Sequence, residues 1–248
     1  MCVIEGPDLV EAALAANAHF EAIYVETDAL SRAPVAALVE RAHVGGVRVF
    51  ALAPATFARV ADAATPQGVM AAVHLPVVAF ETMASDGLVL VAHDLRDPGN
   101  AGTIVRSAEA AGARGVIFTG QSVDPCNPKA LRASAGGVFQ IPVAVGDLAE
   151  VLAHFQARGA TTWATTLHAT TELREVALGG SSVVVIGSEA EGLDDDALAR
   201  CGGSFRIAMA GASESLNAGV AASLIAFAAL WQREDAKAHV TRPSLERP

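Results

Sequence analysis

LVLVAHDLRDPGNAGTIVRSAEAAG, Leu88 to Gly112, decides the fold class. LVLVAHD (Leu88–Asp94) is an apolar run of the length expected for a buried strand. It runs out into Asp97-Pro98-Gly99-Asn100, and the pattern over Asn100–Ala111 is helical. A strand feeding a helix in this way belongs to a mostly parallel sheet, where ligands gather outside the carboxyl ends of the strands. Asn100 can cap the helix. Arg106 stands six residues on, about one and two-thirds turns away. Two readings stay open: a ligand-facing pair, or a plain cap plus a partner for Glu109 at i+3.

The same alternation extends both ways. Before Leu88, strands are expected at Val3–Glu5, Glu21–Glu26, Val47–Leu52 and Met70–Leu75, with helices at Asp8–Ala16, Pro34–Ala42 and Pro54–Ala61. VVAFETMASDG (Val77–Gly87) reads as an exposed linker between two units with cores of their own, residues 1–78 and 88–248. Beyond Gly112, strands are expected at Gly115–Thr119, Thr161–Leu167, Ser182–Gly187 and Arg206–Met209. Helices are expected at Lys129–Ser134, Leu148–Arg158 and Asn217–Gln232. From Arg233 the chain is charged and expected to fray. The fold class is α/β with a mostly parallel sheet.

Composition excludes several function classes. Of 248 residues 52% are hydrophobic, too many for a disordered chain. The longest near-apolar run, Ala218–Trp231, has 14 residues, and a bilayer span needs about 18–20. The start MCVIEGPD has no leader-like pattern. Cys2, Cys126 and Cys201 form no C-x-x-C pair, so neither a disulfide framework nor a metal cluster is expected, and a reduced cytoplasmic compartment fits. A net charge of −10 excludes bulk electrostatic attraction of nucleic acid. Locally the balance reverses: Arg96, Arg106, Arg114, Lys129 and Arg132 outnumber Asp97, Glu109 and Asp124.

Two further loops carry chemistry. In VVVIGSEAEGL (Val183–Leu193) a strand empties into an acidic turn. Gly187 permits close backbone approach or positive φ. The turn lacks the lysine of a P-loop and the glycine pair of a dinucleotide fingerprint. It suits a cationic ligand, or is an ordinary solvated turn. In RIAMAGASESLNAGVAASLIAFAALW (Arg206–Trp231) a strand leads through Ser213-Glu214-Ser215-Leu216-Asn217 into a helix apolar on every side. Val220, Leu224, Phe227 and Trp231 form one stripe, with Ala221, Ile225 and Ala228 on the other side. Such a helix must be buried, against its own fold or a second subunit. Ser215 or Asn217 can cap it.

In this order, N-x-G-x-x-x-R-S-A (from Asn100), V-I-G-S-E-x-E-G-L (from Val185) and S-L-N-x-x-V-A (from Ser215) resemble the three motifs of the SpoU (TrmH-type) RNA 2′-O-ribose methyltransferases of the SPOUT superfamily. DPCNPKALRASAGGVFQIPV (Asp124–Val143) and IEGPDLVEAAL (Ile4–Leu14) resemble that family too. The resemblance implies a C-terminal domain with a deep trefoil knot, a homodimer, and S-adenosylmethionine bent into the knot. It implies methyl transfer to a ribose 2′-OH, in ribosomal RNA before transfer RNA. The N-terminal unit would be a small ribosomal-protein-like fold that helps choose the RNA. Neither metal nor membrane enters.

The resemblance also assigns residues. Arg106 would activate the target hydroxyl or steer a phosphate. Asn100 would position Arg106 or the ribose, Glu189 would hold polar groups of the site, Ser215 would contact the reacting region and Asn217 would fix its loop. Gly187, Ile207 and Leu216 match cofactor-contact positions, with Leu167 and Met209 as neighbours. Lys129 and Arg132 would meet RNA phosphates, which orient without reading sequence. Ala208 stands where the family commonly has proline, and Ala218-Gly219 replace Val-Ser, so a looser loop is expected. A non-catalytic RNA-binding assembly factor would have lost some of these polar residues. A Rossmann oxidoreductase would need the absent G-x-G-x-x-G.

Overall fold

The structure, a computed structural model, describes residues 1–63, 65–75, 77–188, 191–211 and 215–240. The N-terminal part runs β1 (Cys2–Glu5), α1 (Pro7–Ala15), β2 (His19–Glu26), α2 (Ala33–Val44), β3 (Val49–Leu52), α3 (Pro54–Val60) and β4 (Val69–His74). Among the described residues its strands form one sheet of order β1-β4-β2-β3, in which only β2 and β3 are parallel. Each of the three helices begins with proline in its first turn, where the missing N–H has no intrahelical acceptor to lose.

The C-terminal part runs β5 (Leu88–His93), α4 (Pro98–Ala110), β6 (Gly115–Thr119), α5 (Pro128–Ala133), β7 (Val143–Gly146), α6 (Leu148–Gln156), β8 (Thr161–Thr165), β9 (Ser182–Ile186), α7 (Asp195–Arg200), β10 (Gly203–Phe205) and α8 (Ala218–Val240). The sheet order is β10-β8-β9-β5-β6-β7, and every pairing is parallel. Central β5 and β9 are apolar at nearly every position because helices cover both faces.

Four expectations are corrected. First, Val77–Gly87 is not an exposed linker. Val78 N–H donates to Val143 at 2.9 Å, and Phe80 and Met83 are buried against the sheet with Val89, Val91 and Phe155. Second, the two parts do not have separate cores. One cluster runs from Ile4, Leu9 and Val10 through to Leu131, Val138 and Phe139. At their contact a Cβ on Gly136 (φ +90) would stand 2.4 Å from Ala12 Cβ.

Third, the last strand lies three residues before the expected Arg206–Met209. Arg206 has left the sheet: its N–H donates to Thr171 at 3.0 Å, and its carbonyl accepts from Leu173 at 2.8 Å. Fourth, from Arg233 the chain continues α8 to Val240 instead of fraying, while residues 241–248 lie outside the described residues. Gln232 Oε1 accepts the N–H groups of Leu178 (2.7 Å) and Gly179 (2.9 Å), while its Nε2 donates to Val176 O at 2.9 Å. Arg233 donates to Ala111 O, closing the C-terminus of α4. Replacing Gln232 with alanine strips three backbone groups of their partner at a half-buried position. It is expected to cost about 2–3 kcal/mol in urea-induced unfolding.

Candidate active site

The first turn of α4 is built by Asp97, not by Asn100. Asp97 is the N-cap, its Oδ1 accepting Asn100 N–H at 2.8 Å, and Pro98 opens the helix. Asn100 is one turn inside, 7% exposed, and its side chain is not the cap. Its Oδ1 accepts from Asn217 Nδ2 at 2.8 Å. Asn217 in turn caps α8, its Oδ1 accepting Val220 N–H at 3.2 Å. Capping and motif contact are thus one role at Asn217. The two helices continue to touch along small and hydroxyl residues. A Cβ on Gly219 would meet Thr103 at 3.0 Å, and the Ser107 and Ser223 hydroxyls are 2.6 Å apart.

Arg106 projects from the exposed side of α4. Among the described residues it has no hydrogen bond or ion pair, so the expected partner Glu109 does not hold it. An unpaired guanidinium keeps five donors for an anionic or hydroxyl ligand. Lys129 and Arg132 are exposed but paired, Lys129 Nζ with Asp97 Oδ2 at 3.6 Å and Arg132 Nη1 with Asp62 Oδ2 at 2.9 Å. Solvent-exposed pairs of this kind are weak, and a phosphate can compete for either cation.

The residues expected to hold the cofactor leave one edge of the sheet. β10, β8 and β9 are adjacent and parallel, so Ile207, Leu167 and Gly187 leave three neighbouring carboxyl ends. Ile207, Met209 and Leu216 are half-buried, while Leu167 is 53% exposed. Gly187 serves close approach, not positive φ. A Cβ there would stand 2.3 Å from the carbonyl carbon and oxygen of Gly192, whose N–H returns to Ser188 O at 2.9 Å. Gly187→Ala must push that turn outward, and an at least tenfold loss of cofactor affinity in calorimetry is expected. Glu189, Ser213 and Glu214 lie outside the described residues. Ser215 is exposed, two residues before Asn217.

This edge fits a sulfonium nucleoside. Among the described residues, the N–H groups of Ile207 through Gly211 donate to no main-chain carbonyl. Backbone donors and acceptors beside half-buried aliphatic side chains are what an adenine ring needs. Other chemistries find less. Burial pushes the Cys126 thiol up to about 12 and the Cys201 thiol up to about 11, so neither is a thiolate nucleophile at neutral pH. Among the described residues no group of three His, Cys, Asp or Glu is placed to hold a metal, and no helix is long and apolar enough to cross a membrane.

Asp97, Ser107 and Ser223 are site-building residues that sequence reasoning missed. The Asp-Pro pair at 97–98 was the available signal for the cap. The serine pair, 116 residues apart, had none.

A parallel α/β sheet with unpaired backbone donors at one edge and an unpaired arginine on α4 suits a nucleoside-dependent group-transfer enzyme. The comparisons name the group. The model of the SpoU rRNA methylase family matches residues 87–227, and that of the RNA 2′-O ribose methyltransferase substrate-binding domain matches residues 3–76. The chain is 31% identical over 225 residues to the 23S rRNA (guanosine(2553)-2′-O)-methyltransferase RlmP of Bacillus subtilis, covering 91% of this chain and 86% of that protein. The SpoU methyltransferase AviRb from Streptomyces viridochromogenes superimposes with a TM-score of 0.83 at 25% identity, covering 95% and 90% of the two chains. An AdoMet-bound rRNA methyltransferase from Sinorhizobium meliloti gives 0.81 at 26%, covering 92% and 86%. This chain belongs to the SpoU rRNA methylase family. Its activity is S-adenosylmethionine-dependent 2′-O-methylation of RNA.

Proposed function

We propose that the chain methylates one ribose 2′-OH in ribosomal RNA, with Arg106 as the catalytic residue. The observation that carries this is the unpaired Arg106 guanidinium on a helix whose first turn is tied, through Asn100 and Asn217, to the loop beside the cofactor edge. S-adenosylmethionine supplies an electrophilic methyl on a sulfonium. A ribose hydroxyl is a poor nucleophile until the charge developing on its oxygen is stabilised. Arg106 supplies fixed N–H donors for that charge or for the adjacent phosphate. Asn100 and Asn217 hold the arginine's helix in register with the methyl donor's loop. Ser215 contacts the reacting region, Glu189 would hold its polar groups, and Lys129 and Arg132 take RNA phosphates, releasing Asp97 and Asp62. Ile207, Met209 and Leu216, with Gly187 and Leu167, hold the cofactor. The trefoil knot that the resemblance implies is part of this reading.

On this reading residues 1–78 choose the RNA and residues 88–248 carry the chemistry, in the cytoplasm. The working unit is a homodimer formed through α8. Its inner face, Ala222, Ile225, Ala226 and Ala229, is spent within the protomer. Its outer face leaves Val220, Leu224 and Trp231 between 39% and 56% exposed. Trp231→Glu is expected to give a monomer by light scattering at micromolar concentration, with methyl transfer falling at least tenfold. A stable monomer of the unaltered chain would overturn the dimer.

The test of the function is ribose-methylation mapping of rRNA incubated with the protein and S-adenosylmethionine. A single protected 2′-O-methyl position is expected. Methylation confined to transfer RNA, or none at all, overturns the proposal.

A further inference from the structure

ATTELREVALGG (Ala169–Gly180) joins β8 to β9, and its pattern predicts neither strand nor helix. In the structure it makes a 3₁₀ turn at Leu173–Glu175, closed by Glu175 Oε2, which accepts Glu172 N–H at 2.8 Å. This turn meets the chain as it leaves β10. Thr166 N–H donates to Phe205 O at 3.0 Å. One residue on, the ladder passes to the connecting segment. Arg206 N–H donates to Thr171 O at 3.0 Å, and Arg206 O accepts from Leu173 N–H at 2.8 Å. Glu172 therefore lies directly beside Arg206 in a parallel bridge.

Side chains double this contact. Glu172 Oε1 accepts from Arg206 Nη2 at 3.3 Å, and Arg174 Nη2 stands 2.8 Å from Oε2. The Arg206 and Arg174 side chains are 45% and 79% exposed, but that of Glu172 only 17%. Water and salt screen such a carboxylate less than they screen a fully open surface pair. Its place in the chain gives the pair a use. Arg206 immediately precedes Ile207–Gly211, and among the described residues that segment makes no main-chain hydrogen bond to another main-chain group. The bridge at Arg206 is thus the last rung before the loop that leaves the sheet.

Resting on the cofactor contacts proposed above, we propose that Glu172 is a positioning residue for S-adenosylmethionine. It acts through Arg206. The carboxylate holds the guanidinium against the 171–173 turn, and so fixes the direction in which Ile207–Gly211 departs. Without the carboxylate, Arg174 and Arg206 face each other as like charges, and two main-chain bonds alone resist the displacement.

The test is a double-variant cycle on the full chain, read by calorimetric S-adenosylmethionine binding and by steady-state transfer to rRNA. Glu172→Gln keeps the size and removes the charge. It is expected to weaken cofactor binding about fivefold, part of the roughly tenfold that a hydrogen bond to a charged group carries. KM for S-adenosylmethionine should rise by the same factor, while kcat at saturating cofactor and the melting temperature stay unchanged. A general loss of structure would not give that split. Arg206→Gln should weaken binding by a similar factor. The double variant should bind no more weakly than the worse single one, because both changes remove one interaction. Arg174→Gln leaves the Glu172–Arg206 contact in place and should stay within about twofold, as expected of an exposed partner.

Unchanged affinity in Glu172→Gln overturns the inference. So do additive losses in the double variant, or a fall of kcat and melting temperature alongside affinity. If Glu172→Gln fails to fold, Arg206→Gln decides: an affinity within about twofold of the unaltered protein overturns the inference. An unaltered protein that binds no S-adenosylmethionine defeats the cofactor assignment itself, whereas binding that the variants leave unchanged defeats only this inference.

Discussion

Arg106→Ala is expected to lower single-turnover methyl transfer to rRNA by a factor of about 10²–10³, the loss seen when one preorganised donor to a developing charge is removed. S-adenosylmethionine affinity should stay within about twofold, because the loops proposed to hold the cofactor leave β8, β9 and β10, while Arg106 stands on the exposed side of α4. Arg106→Lys keeps the charge but not the planar fork, and should recover only part of the rate. Single-turnover transfer of labelled methyl, set beside calorimetric cofactor binding, separates the two quantities. A parallel fall in both would make Arg106 a cofactor residue and refute its catalytic role.

Deleting residues 1–78 is expected to abolish soluble folding of the remainder. Leu131, Val138 and Phe139 belong to a cluster completed by Ile4, Leu9 and Val10. Uncovering three such side chains costs roughly 5 kcal/mol at about 1.5–3 kcal/mol each, comparable to the whole stability of an ordinary domain. The deletion also removes Val78, which hydrogen-bonds to β7, and cuts beside Phe80, which packs in the second cluster. Circular dichroism and size-exclusion chromatography check this directly. A monodisperse, cooperatively melting fragment that binds S-adenosylmethionine would show that the catalytic sheet has a sufficient core of its own.

What the sequence disclosed divides along physical lines. Long buried strands such as Leu88–His93 and Ser182–Ile186 were legible because only central parallel strands are apolar at every position. Gly187 was legible as a point of close approach because no side chain fits there. β7 was missed because Val143–Gly146 is four residues wedged behind a proline. α7 was missed because Asp195–Arg200 is short and largely polar, and carries little periodicity. The frame of β10 and the length of α8 were misread because tertiary contacts set both: the 171–173 backbone captures Arg206, and Gln232 and Arg233 anchor a segment whose charge argued for fraying. At the candidate site the sequence names residues but not the connections between them. Asn100 and Asn217 are 117 positions apart, and no local pattern announces an amide pair.

The contacts of α8 with α4 impose an order on the life of the chain. α4 carries Arg106, yet its first turn is bound by Asn217 and its C-terminal end by Arg233. On a ribosome these partners emerge 117 and 122 residues after the groups they hold. A nascent chain arrested before residue 217 holds Arg106 on a helix with neither clasp in place. The helix therefore reaches its final setting only after residue 233 has been made.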